Sequence, residues 1–142
     1  MRKKILFFAL AAIGLCSIDS CDRFKGPQEI LEKANKVLYE EGDVDTYFTY
    51  LYLPGESTNT DMSEVKANVK RNIDSLKTAN GGIESIRLQD VGSLDDIANY
   101  NMTVKYGNGK LDSTLVQLYK KEGVWKINNF SITQQIQQRG LK

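Results

Sequence analysis

Residues 98–106 read Ala98-Asn99-Tyr100-Asn101-Met102-Thr103-Val104-Lys105-Tyr106, apolar and polar by turns without a break. Successive side chains on a strand point to opposite faces, so this period of two predicts a strand with one buried and one wet face. Downstream, Gly107-Asn108-Gly109 is expected to turn into a strand over residues 114–120, and Lys121-Glu122-Gly123 into another over 124–132. Loops this short join antiparallel neighbours. Upstream the period of two starts at Ile83, with Glu84, Ile86 and Leu88 expected on one strand face. The outcome is a meander of about four strands. The glutamine-rich residues 134–142 are assigned to no element.

Before Ile83 the apolar period is three to four, the mark of helices. Gly26-Pro27 opens the first, where proline's missing N–H costs nothing, and Ile30, Leu31, Ala34, Val37 and Leu38 form its stripe up to Gly42. Asp43 is placed to cap a second helix carrying Val44, Tyr47, Phe48 and Leu51, which Pro54-Gly55 would stop. Asp61 and Glu64 have capping-box spacing ahead of a third, with Met62, Val65, Val69, Ile73 and Leu76 on one side and Gly81-Gly82 at its end. Three helices followed by an antiparallel meander give an α+β domain, because one face of such a sheet must be covered.

The leading segment has a different composition. Met1-Arg2-Lys3-Lys4 is basic, and residues 5–18 are fourteen in a row that are apolar except for Gly14 and Ser17. That is the pattern of a secretory signal peptide, and it is short of the roughly 20 apolar residues a spanning helix needs. Ile18-Asp19-Ser20-Cys21 follows. It resembles the lipobox of bacterial lipoproteins, in which the cysteine is diacylated and becomes the first residue; Asp19 departs from the small neutral residue usual there. The expected organisation is therefore residues 1–20 as signal peptide, 21–26 as a tether lipid-anchored at Cys21, and 27–142 as a single domain. Pro27 is six residue steps on from Cys21, a reach of about 20 Å when extended. A bacterial cell-envelope location follows, with the choice between inner and outer membrane open.

The 122 residues from Cys21 onward hold 16 basic and 17 acidic side chains and no His. Near-neutral charge without a basic stripe speaks against nucleic acid as a partner. Without His, and with one Cys past the leader, a catalytic triad, a Cys-His pair or a His/Cys zinc site is excluded by inventory. Oxygen-only metal binding has no support either: Asp43, Asp45, Asp95 and Asp96 lack the loop spacing calcium requires. No metal and no cofactor are expected.

The order of three helices and a curved sheet resembles the cone-shaped nuclear transport factor two-like (cystatin-like) superfamily. Within it, Cys21 after a signal peptide, Gly26-Pro27, Glu41-Gly42-Asp43-Val44-Asp45, Leu51-Tyr52-Leu53-Pro54 and Gly123-Val124-Trp125-Lys126-Ile127 resemble an uncharacterised branch of small bacterial lipoproteins. That branch is usually filed as a domain of unknown function or under a lumazine-binding-like label. The resemblance implies a pocket between helices and sheet, for which Tyr47, Tyr50, Tyr100 and Trp125 are the candidate lining. Core packing is the plainer reading of each of these aromatics taken singly. The expected role is a membrane-anchored, non-enzymatic binding or accessory module for a small apolar ligand or an envelope protein. Two alternatives stand beside it. One is an isomerase- or cyclase-like enzyme, for which an apolar pocket would raise a carboxylate into the range of a base; Glu84 and Asp90 are the candidates, with Asp112 similarly placed at a strand end. The other is a homodimeric scaffold meeting through the sheet face that carries Asn99, Asn101 and Thr103.

Overall fold

The computed structural model describes residues 25–53 and 61–140. The expected signal peptide, Cys21 and Pro54-Gly55 lie outside them. Four strands, β1 (Ile83–Leu94), β2 (Ile97–Tyr106), β3 (Leu111–Lys121) and β4 (Val124–Asn128), form one antiparallel sheet in the order β1-β2-β3-β4. Along β2 the alternation is complete: Ala98, Tyr100, Met102, Val104 and Tyr106 are buried, while Asn99, Asn101, Thr103 and Lys105 face outward. Outward polar groups pair across strands, Thr103 with Ser113 at 3.1 Å and the Gln117 amide donating to Asn99 at 3.0 Å.

One expectation about β1 is corrected. A register shift between Ile83 and Ser85 inserts an extra residue against β2, and one extra residue exchanges the two faces. Ile83, Ile86 and Leu88 therefore face the core, whereas Glu84 is turned outward to an ion pair with Lys105 at 2.9 Å. A second shift lies between Asp90 and Gly92, where the Asp90 carboxylate accepts from the Gly92 N–H and the Ser93 hydroxyl.

Helix α1 (Pro27–Asn35) buries Ile30, Leu31, Ala34 and Asn35 and runs on into a single π-helical stretch, Lys36–Glu41, closed by Gly42 in the left-handed conformation. Asp43 caps α2 (Val44–Thr49) as expected, accepting from the Thr46 N–H at 3.0 Å and its hydroxyl at 2.6 Å. These bonds, the hydroxyl's first, hold the Asp43 carboxyl below the usual carboxylate range. The helix stops at Thr49, ahead of the predicted end. Leu51 is buried as a parallel bridge to Ile127 rather than as a helical residue, because the Tyr52 N–H and the Tyr50 carbonyl bond to the β4 backbone. In α3 (Ser63–Asn80) Asp61 accepts from the Ser63 N–H from just outside the helix, and Glu64 pairs with Arg139 instead of completing a capping box. Val65 is buried, Val69 and Ile73 partly so, and Leu76 reaches the surface.

The end of the chain differs most from expectation. β4 stops at Asn128, and residues 130–132 belong to a fourth helix, α4 (Phe130–Gly140). Asn129 starts it by accepting from the Ile132 N–H. Ile132 and Ile136, four apart and each 3 % exposed, then enter the same core as α1 and the sheet. Removing a fully buried aliphatic chain costs about 2–5 kcal/mol. Ile136→Ala is accordingly expected to lower the unfolding free energy in urea by that amount, with Phe130→Ala, 63 % exposed, changing it little. Equal urea midpoints for Ile136→Ala and wild type would mean that α4 is not part of the folded core.

Candidate functional site

Between α1, α3, the inner face of β2 to β4 and the first turn of α4 lies a cavity of about 340 Å³. About half of its lining is apolar, with Leu31, Leu38, Val69, Ile73, Met102, Val116, Ile127 and Ile132 among it, and the rest carries neutral polar side chains such as Asn72, Asn128 and Gln135. Among the described residues no Asp, Glu, Lys or Arg lines it. The volume and the uncharged, partly apolar lining suit a small-molecule site. A wider groove of about 740 Å³ runs outside it between α1, the π-helical stretch and residues 82–88 of β1.

Three polar side chains distinguish the cavity. Asn35 is 7 % exposed, and its amide nitrogen has no hydrogen-bond partner. One helical turn on, Tyr39 lines both the cavity and the groove, as Asn35 does. Burial pushes the Tyr39 phenol well above its usual value, and the neighbouring Tyr47 and Tyr106 phenols add to the effect. Tyr47, also raised by burial, accepts from the Asn129 amide at 3.4 Å and stands edge-on to Phe48.

Of the four aromatics anticipated from the sequence, the cavity takes Tyr47 alone. Tyr100 is 4 % exposed on β2 and Trp125 8 % exposed on β4, both packed into the core, with the Lys120 ammonium 5.9 Å from the Trp125 ring. Tyr50 lies past the end of α2, where its carbonyl accepts from the Ile127 N–H at 2.8 Å. The candidate bases do not line the cavity either. Glu84 is ion-paired with Lys105 and lines the wider groove, Asp90 closes its own bulge, and Asp112 lies 3.7 Å from Lys110. Asn35 and Tyr39 escaped the sequence reading, although two polar groups four apart on a helix that is otherwise apolar along that side are a legible signal. No described helix is long and apolar enough to cross a membrane. Nor do three or more acidic or sulfur side chains come together among the described residues.

A family model described as a domain of unknown function (DUF4878) matches residues 20–128. The chain belongs to that family. A solved structure from Campylobacter jejuni, provisionally named an NTF2-like transpeptidase, is similar at 21 % identity over 74 % of this chain and 99 % of the other, with a TM-score of 0.62. No curated protein matches. The DUF4878 chain thus has the NTF2-like fold, an α+β cone of helices on a curved four-stranded sheet.

Desolvation is the main cause of the raised phenols at Tyr39, Tyr47, Tyr100 and Tyr106. The fold holds each in its protonated form, so this stabilisation is complete below the ordinary tyrosine value of 10.0 and is lost as pH rises past it. In an ultraviolet titration these phenols are expected to ionise late, in step with unfolding, and Tyr39→Phe to remove one phenol from the late phase. Loss of a phenol from the early phase instead would place Tyr39 in solvent.

Proposed function

We propose that this DUF4878 chain is a membrane-tethered, non-enzymatic binding module of the bacterial cell envelope that holds a small, mainly apolar molecule between its helices and sheet. The cavity carries this reading: it is ready-formed, about half apolar and, among the described residues, without a charged wall. Dispersal of Glu84, Asp90 and Asp112 favours binding over the isomerase- or cyclase-like alternative, since a general base must reach the proton it removes. The provisional name of the Campylobacter protein describes acyl transfer, which needs an activated nucleophile; this chain has no His to activate a hydroxyl. The basic start, the apolar run and Ile18-Asp19-Ser20-Cys21 support the tether. Two acyl chains on Cys21 would anchor durably, at about 0.8 kcal/mol for each buried methylene.

Native mass spectrometry of the protein taken from its own host membranes is expected to show a reproducible excess of small-molecule size that is released on unfolding. A mass equal to bare lipidated chain would count against an occupied cavity. Cys21→Ser is expected to move the protein from the membrane to the soluble fraction; membrane retention by that variant would refute the lipid anchor.

A second reading, the homodimeric scaffold, draws on the outer sheet face, where Leu111 and Leu115 are 61 % and 65 % exposed beside the row of Asn99, Asn101 and Thr103. Sedimentation of a monomer at high concentration would remove it.

A further inference from the structure

Among the described residues two asparagines are buried, and the fold treats them differently. Asn80, 8 % exposed, is fully used: its amide nitrogen donates to the Leu76 carbonyl at 2.9 Å and its amide oxygen accepts from Asn108 at 3.1 Å. Asn35 is as deeply buried, yet its amide nitrogen has no partner. Buried donors are almost always satisfied, and an orphan of this kind calls for an explanation. Tyr39 is four residues further along the same helical side, half-buried, and hydrogen-bonds to no described residue. Between the two begins the π-helical stretch Lys36–Glu41, a rare geometry that is frequent at functional sites. Both residues line the cavity and the groove outside it, so an acceptor that enters from the groove arrives beside both.

Resting on the binding reading above, we infer that the ligand is an uncharged, mostly apolar molecule with one carbonyl-type acceptor, which the Asn35 amide and the Tyr39 hydroxyl hold. The absence of charge on the described walls argues for neutrality, because a buried carboxylate without a cation pays its full desolvation cost. The cavity has room for roughly eleven heavy atoms at about 30 Å³ each.

The test uses the full chain in lipid nanodiscs, so that no detergent competes for the cavity. Its probes are 2-decanone, the isosteric alkene 2-methyl-1-decene, and decanoate. The ketone is expected to bind about tenfold more tightly than the alkene, and to shift the Asn35 side-chain amide resonance, which the alkene leaves in place. Asn35→Leu is expected to bring the ketone-to-alkene ratio to about one while leaving the alkene bound, and Tyr39→Phe to reduce the ratio in part. The wild-type ratio and the resonance shift stand even if a variant fails to fold. Equal affinity for ketone and alkene would overturn the acceptor inference and leave the cavity a binding site. Tighter binding of decanoate would overturn neutrality. Binding of none of the three would overturn the inference and the binding reading together.

Discussion

Everything about the cavity depends on how closely the end of α3 meets the turn between β2 and β3. A Cβ at Gly107 would lie 2.2 Å from the Gly81 carbonyl oxygen, a separation no side chain tolerates, so only a glycine allows the two backbones to touch there. Hydrogen bonds lock the approach: the Gly107 N–H donates to the Gly82 carbonyl and the Asn108 N–H to the Asn80 carbonyl, each at 2.9 Å. Asn80 adds its side-chain bond to Asn108. With this corner fixed, α3 is held against the sheet at one end. At its other end, Arg139 of α4 pairs with Glu64 while Ile132 and Ile136 enter the core. Along its middle the partly buried Val69 and Ile73 line the cavity together with Met102 and Val116.

Charge is distributed around this space and not in it. Asp43 and Asp61 are used as local acceptors near helix starts, and hydrogen bonds lower both carboxyls. Lys66 and Asp45 join α3 to α2 at 2.7 Å, and Glu84 and Lys105 join β1 to β2. Pairs of this sort on exposed surface add little stability each. Their relevance lies in where they are: these carboxylates are engaged on the surface, and among the described residues the buried polar side chains, Asn35 and Asn80, are neutral. Such groups can orient a dipole but do not neutralise an ion.

How much of this could be read from the chain varies with the length of the signal. β2 was legible because nine residues alternate and the structure keeps every one on its expected face. The Asp43 cap was legible because a short acceptor ahead of an apolar period has one good use. Glu84 was misread because a bulge is a single inserted residue, and nothing in Ile83-Glu84-Ser85-Ile86 announces which residue is extra. α4 was missed because its two anchors, Ile132 and Ile136, are spaced among glutamines too sparsely to display a stripe, and it acquires its helical reason only from the core they enter. Aromatic count pointed to Tyr50, Tyr100 and Trp125, which serve the backbone bridge and the core. Size draws attention to an aromatic residue, whereas a site is defined by unsatisfied polar groups, and satisfaction is a property of three-dimensional neighbours.

Asn35 shows why a small polar residue can be the more informative one. On α1 its neighbours Ile30, Leu31 and Ala34 are buried, and any of several aliphatic residues would continue that packing without an orphaned donor. The fold instead retains an amide there, one turn before Tyr39, beside a groove whose outer rim carries Glu32, Lys36 and Lys77. A charged rim around a neutral interior admits a molecule from water yet rewards it for leaving its charge behind. On the proposed tether the start of α1 would lie within about 20 Å of a bilayer, where uncharged apolar molecules concentrate. The neutral walls, the idle amide and that proposed reach would then favour the same class of ligand for three separate physical reasons.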